Sequence, residues 1–397
     1  GKPLLARENF EVVYQWILLD YDWESQEQKE EAIESGEFDP KNNTISGIKI
    51  WKDRVFVSTP RLLSGVPSTI NWLQYPAKKE KNPQTKPLIP FPNWEMQKVG
   101  NCSAIQNVQS MEIDTTGRMW VLDVGSKYLL TPTPNTECRP KLLIYDLNED
   151  ADELLHVHVF SEEVASEQSF LNDLVLDINE ERGHTQTFAY IADSGMPGGI
   201  VVYHFENDTT WRVEDNKTMN ADPDAVEAKV GDKEAMLSFN IDGIALTPPR
   251  HRNKLVFYSP LGSFHLYSIP AEVLMNPDCF GIKEEIHDYG TRSSQSDGMM
   301  FDNKGNLYFG LLANNSLAVW SHSNRRKDRK GRIREIILAK DNKKLIWIDS
   351  LGFDLKGFLW FTSNRLQNIQ AMDVPEDEVN YRINRIRLAK KKSYMYN

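Results

Sequence analysis

The chain predicts an all-β fold, a six-bladed β-propeller with long loops, as a single domain spanning residues 1–397. Three observations carry this. Six short apolar-aromatic runs recur along the 397 residues. A second short strand precedes each run, and no series of amphipathic helices alternates with them.

The runs are DRVFVS (53–58), GRMWVLD (117–123), TFAYIAD (187–193), KLVFYSP (254–260), GNLYFGL (305–311) and GFLWFTS (357–363). They are rich in β-branched and aromatic residues and bounded by Gly, Asn or Asp, the composition of a strand between turns. Their aromatic markers Phe56, Trp120, Tyr190, Phe257, Tyr308 and Trp360 recur at intervals of 51 to 70 residues. The preceding strands are SGIKIW (46–51), QSMEID (109–114), NDLVLD (172–177), DGIALT (242–247), DGMMFD (297–302) and DSLGFD (349–354). In the last two units a three-residue, Gly-containing turn joins the pair, which is hairpin chemistry. Length alone allows two or three domains. Radially packed blades bury their faces on one another, so six units make one domain. Two stacked β-sandwiches are the alternative, disfavoured by six equivalent units. FEVVYQWILLD (10–20) and NYRINRIRLA (380–389) lie outside the units, and either can complete a blade shared by the two chain ends.

Composition narrows the function. With 46 Lys+Arg against 57 Asp+Glu the net charge is −11, so no nucleic-acid partner is expected. No apolar run approaches the roughly 18 residues of a membrane span. Seventeen Phe, 14 Tyr and 10 Trp argue against disorder. The opening GKPLLAREN reads as a mature N-terminus or as an artificial edge. Three cysteines, Cys102, Cys138 and Cys279, allow one bridge and a leftover thiol. Asn42, Asn101, Asn207, Asn216 and Asn314 head glycosylation sequons. A secreted, extracellular monomer is expected.

The first residues of the six inner strands form a polar column: Ser46, Gln109, Asn172, Asp242, Asp297 and Asp349. Inner strands line the axial channel, so this column predicts a ring at one channel mouth, the default place for a ligand. Three carboxylates held together call for a cation, either a ligand ammonium or a hard metal such as Ca²⁺. The alternative is that these residues only start strands and bond local backbone. A second ring is expected from the ends of the following strands, Asp123, Asp193, Ser259 and Asn364. There, Asn364 lies near Phe358, Trp360 and Phe361, suited to an aromatic amine.

Nucleotide-loop, HExxH and GxSxG motifs are absent. His156 and His158 alternate as on an exposed strand, with a zinc pair as the alternative, and Cys279 has no partnering His motif. The basic run NRRKDRKGRIR (324–334) reads as a solvated loop, with an anionic partner as the alternative. The acidic stretch 24–39 reads as a short helix and loop.

Nearly the whole chain resembles the Yellow and major royal jelly protein family. The resemblance rests on YQWILLDYDW (14–23), AIESGEFDPKNN (32–43), RVFVSTPRLLSGVPSTI (54–70), GNCSAIQNVQSMEID-TTGRMWVLDVG (100–125), CRPKLLIYDL (138–147) and TFAYIADSG (187–195). GIVVYHFENDTTWRV (199–213), SSQSDGMMFDNKGNLYFGLLANNSLAVW (293–320) and LWFTSNRLQ (359–367) complete it. The resemblance implies a secreted six-bladed propeller and a Cys102–Cys138 bridge. It also implies that a second family bridge is absent here, with His184 and Val319 at its positions. Amine-binding members place an Asn at the position of Asn364 and a Thr at that of Asp349, so the ligand set differs.

The function expected is binding of a small aromatic amine of serotonin or catecholamine type by Asn172, Asp242, Asp297, Asp349 and Asn364, with no cofactor. The alternatives are a dopachrome isomerase of melanin synthesis, using a raised-pKa Asp as acid–base group, and a lactonase-like hydrolase holding a divalent metal on Asn172 and Asp242. A storage protein with a vestigial cavity is the remaining possibility.

Overall fold

The computed structural model describes residues 9–149 and 151–397. The expectation for the segment beginning at Gly1 lies outside them. Six four-stranded antiparallel sheets surround one axis, each with the expected inner strand and aromatic run as its first two strands. The inner strands are Ile48–Trp51, Val108–Ile113, Leu171–Glu181, Ile241–Leu246, Met299–Phe301 and Ile348–Phe353, on blades 1 to 6. In blade 6 the C-terminal strand Tyr381–Arg387 is third and the N-terminal strand Glu11–Trp16 outermost, in the register Glu11↔Arg385 to Trp16↔Tyr381. Both candidate end strands therefore complete the same blade.

The marker aromatics are buried for a reason that repeats. Asp114, Asp302 and Asp354 each open a D-x-x-G turn between the first two strands. The closing Gly117, Gly305 and Gly357 have φ of 81°, 87° and 89°, a left-handed geometry that favours glycine. The turn carboxylate accepts backbone N–H groups and then reaches the marker. Trp120 Nε1 donates to Asp114 at 3.1 Å, Tyr308 Oη to Asp302 at 2.9 Å and Trp360 Nε1 to Asp354 at 2.9 Å. On blade 3, Tyr190 Oη donates to Asp177 at 2.8 Å. Asp354 also accepts from Lys356 N, Phe358 N and Tyr75 Oη. Asp354→Ala strands these donors, each costing about 1–3 kcal/mol when buried without a partner. The expected loss is about 3–5 kcal/mol, read from urea midpoints, with Asp354→Asn recovering part of it.

The Cys102–Cys138 disulfide is formed, across a separation of 36 residues. A loop of that size stabilises by about 3–4 kcal/mol in the chain-entropy treatment. Beside it Lys141 Nζ donates to Cys102 O (2.9 Å), Ala104 O (2.7 Å) and Asp123 (2.7 Å). The pairing of His184 with Val319 needs correction. They lie on blades 3 and 5, with blade 4 between, whereas His184 shares a groove with Cys279.

The RLLSGVPS segment is fixed by Arg61, whose fully buried guanidinium has burial lowering its pKa to about 10. It donates to five backbone carbonyls: Val66 (2.8 Å), Pro67 (3.0 Å), Gln97 (2.6 Å), Ile105 (3.1 Å) and Gln106 (2.6 Å). The acidic stretch forms the helix Gln26–Ser35, capped by Ser25 and Gly36. Between blades 3 and 4 a hairpin, Glu227–Val230 with Lys233–Met236, packs on the short helix Leu366–Gln370. At the far end of the channel the C-terminal segment inserts Tyr394, whose hydroxyl donates to Glu112 (3.1 Å) and accepts from Leu176 N (2.9 Å). Among the described residues no helix is long and apolar enough to cross a membrane.

Candidate functional site

The six column residues meet at one end of the channel. Ser46 is 1% exposed and the other five no more than 7%. In blades 2, 3, 4 and 6 the residue lies at a register shift: between Val108 and Met111, Leu171 and Asp173, Ile241 and Gly243, and Ile348 and Leu351. A β-bulge re-aims a side chain, and here the same device recurs around the axis.

Hydrogen bonds run from blade to blade. Gln109 Nε2 donates to Ser46 Oγ, and Ser46 Oγ to Asp349 Oδ1 (2.8 Å). Asp297 lies beside the carboxyls of Asp349 and Asp242, and Asn172 beside Asp242, close enough for each to shift its neighbour's proton affinity. Asn172 Nδ2 then donates to Ser194 Oγ (3.0 Å), which donates to Ile241 O (2.7 Å). Gln109 Oε1 finds no partner. Asn364 Nδ2 donates to Asp349 Oδ2 and to Ile45 O, both at 2.8 Å, so it joins this ring rather than a second one.

The three acids differ in their surroundings. Asp349 accepts from Ser46, Ser350 and Asn364, bonds that favour its ionised form and offset part of a rise caused by burial. Asp297 is pushed well up, by burial first and then by the charges of Asp242 and Asp349, against one N–H from Trp347 Nε1 (2.9 Å). Asp242 is pushed up to about 8, by burial first and then by Asp349. Near neutral pH the cluster holds protons it can release. Deeper in the channel Asp173, bonded to Ser110 Oγ (2.8 Å), is raised to about 6 by burial, and Glu112 is raised by burial too.

Above the ring lies an apolar collar. Leu62, Val124 and Phe170 form a buried cluster with Leu129, Leu130, Phe239 and Leu366 packed against it. These residues come from the loops of five blades. The rings of Phe170 and Phe239 are 6.1 Å apart in an edge contact.

The expected second ring does not form. Asp123 is bound to Lys141 and to the Gln106 and Asn107 N–H groups, and Asp193 to Arg212 (2.6 Å) and the Phe170 N–H. Ser259 donates to backbone carbonyls and accepts from Arg292. Only Asn364 of that set reaches the axis. These acids instead anchor the crossovers that carry the true ring. Sequence reading passed over Ser194, Trp347, Asp173 and the collar. The backbone marks two mouth positions: Trp347 and Arg365 are non-glycine residues with φ of 58° and 47°.

Among the described residues no group of three His, Cys, Asp or Glu side chains is spaced to hold a metal ion.

Fold and site define a six-bladed propeller with a hydrogen-bonded acidic ring at one channel mouth, beneath an apolar collar. The model of the family described as "Major royal jelly protein" matches residues 106–394. The chain belongs to that family. Major royal jelly protein 1 of Apis mellifera is 30% identical over 94% of this chain and 86% of its own. Dopaminechrome tautomerase of Drosophila melanogaster is 27% identical over 96% and 83%, and Protein yellow of Drosophila erecta 25% over 96% and 69%. Among solved structures a luciferin-regenerating enzyme aligns with a TM-score of 0.45 at 14% identity, over 91% of this chain and 96% of that one.

Proposed function

We propose that this is a secreted, monomeric protein that binds a small aromatic amine at the channel mouth without a cofactor. The observation that carries the reading is the buried trio Asp242, Asp297 and Asp349 together with the Phe170–Phe239 pair. An ammonium relieves the repulsion among the carboxyls and lowers their pKa values. The aromatic body then packs against the collar. Asn172 and Asn364 orient the acids, and Gln109 Oε1 supplies an unused acceptor. Titration calorimetry with serotonin, dopamine and histamine tests this. The expected result is heat with at least one amine and at least a tenfold loss of affinity in Asp349→Asn, whose ring keeps its shape. No heat with any of the three at high protein concentration overturns it.

One observation favours a second reading, tautomerisation of an aminochrome. Burial pushes the Asp242 carboxyl up to about 8, so that one carboxyl of the ring can take a proton from carbon and another return it. Faster loss of dopachrome colour than in a buffer control supports it. The glycan-bearing sites proposed are Asn101, Asn207 and Asn216, which are exposed. Asn42 and Asn314 are half-buried and bonded to Ser64 O and Lys340 Nζ.

A further inference from the structure

We propose that the hairpin at residues 324–334 of blade 5 is a docking site for a linear sulfated polysaccharide. This run lies between the third strand, Ser316–Ser321, and the fourth, Ile336–Lys340. It is an ordered element. Lys327 pairs with Ile333, and Arg332 with Thr291 on the outer strand of blade 4. Asp328 fixes the turn. Its N–H donates to Arg332 O, and its carboxylate accepts from Lys330 N, Arg332 N and Arg332 Nε, all at 2.8–2.9 Å.

The pinned hairpin displays Arg325, Arg326, Lys327, Arg329, Lys330 and Arg334, all exposed. Among the described residues none of these six has a carboxylate within ion-pair distance. Of the acids nearby, Asp328 is paired with Arg332 and Glu335 bonded to Ser293, while Asp288 is paired with His265 and also feels the charge of Lys327. The local field is felt by a neighbour. His322 is pushed down to about 4, by burial first and then by Arg325, His251 and His287. Six like charges held together repel, and they form an island of opposite sign on a chain of net charge −11.

An anionic polymer relieves that repulsion at several points at once, and each added contact multiplies the effective affinity. Guanidinium groups pair bidentately with tetrahedral oxyanions. The Cys102–Cys138 disulfide belongs to an oxidising compartment, where the linear polyanion encountered is a sulfated polysaccharide rather than a nucleic acid. The hairpin itself offers a membrane no apolar wedge, because its one large apolar residue, Ile333, is buried.

The test uses the whole protein on immobilised heparin at pH 7 and about 0.1 M salt, where exposed charges are only partly screened. The wild type is expected to be retained despite its net negative charge. A variant carrying Arg325→Gln, Arg326→Gln, Arg329→Gln and Lys330→Gln, which keeps the Asp328–Arg332 tie, is expected in the flow-through with an unchanged melting temperature. Fluorescence anisotropy of the wild type with a labelled heparin oligosaccharide gives a readout independent of the variant's folding, with affinity falling at least tenfold between about 0.1 and 0.5 M salt. Flow-through of the wild type, equal retention of the variant, or an affinity indifferent to salt overturns the proposal. So does sedimentation with phosphatidylserine vesicles, or binding to single-stranded DNA, without binding to heparin.

Discussion

Asp242→Asn is expected to be more stable than the wild type at pH 8.5, and the advantage should shrink steadily as the pH is lowered toward 4. The Asp242 carboxyl has an ordinary value of 3.8 in the unfolded chain and is pushed up to about 8 in the folded one. Between those values the folded state holds a proton that the unfolded state releases. Folding stability therefore falls as pH rises through this window, and the contribution present at acid pH is lost above about 8. Asparagine keeps the shape beside Asn172 and Asp297 but has no proton to lose. One pKa unit corresponds to about 1.4 kcal/mol, so the full effect is several kcal/mol, reduced where Asp297 and Asp349 take up part of the titration. Urea midpoints of the two proteins across pH 4–9 measure it. A difference that does not change with pH would show that Asp242 ionises normally. A bound amine should act in the opposite sense, stabilising the wild type most at the alkaline end, where the ring carries most charge.

Arg61→Met should come close to abolishing folding. The guanidinium satisfies five carbonyls from three stretches of chain, at Val66–Pro67, Gln97 and Ile105–Gln106. Methionine fills a similar volume and leaves those acceptors buried. At about 1–3 kcal/mol for each stranded group the loss exceeds 5 kcal/mol, comparable with the whole stability of a typical domain. Arg61→Lys keeps the charge but presents three donors from one point instead of a planar fork, so it should recover only a minor part. Soluble yield and urea midpoint of the two variants decide the matter; a soluble Arg61→Met protein with a wild-type midpoint would mean that water replaces the guanidinium.

The fold was legible because its repeat is chemical as well as hydrophobic. The D-x-x-G turns before Trp120, Tyr308 and Trp360 spell out a turn, a left-handed glycine and a buried donor with its acceptor. The acidic column was legible as well, since Asp242, Asp297 and Asp349 recur at one position of the repeat. Two things were hidden. The bulges that turn Gln109, Asn172, Asp242 and Asp349 to the axis depend on pairing, and no single strand records its partner's register. The same gap misled the reading of Asp123 and Asp193. An acid at a strand end is equally compatible with lining a channel or with anchoring a crossover, and their partners Lys141 and Arg212 stand 18 and 19 residues away. The collar was invisible for a related reason, because its members lie on loops of five blades, far apart in the sequence.

Closure of the ring in blade 6 has a consequence for biosynthesis. The Arg385–Glu11 ion pair joins residues 374 positions apart, so the outermost strand leaves the ribosome well before its partner is made. During translation Glu11–Trp16 waits as an unpaired edge carrying Val13, Tyr14 and Trp16, side chains buried in the finished ring. The entropy of closing so long a loop grows only slowly with its length, but none of the closing contacts can form until residues 381–387 have been made. Blades 1 to 5 can assemble as they appear, whereas the whole circle locks in a single late event. That interval is when the nascent protein is most exposed to aggregation and most dependent on assistance.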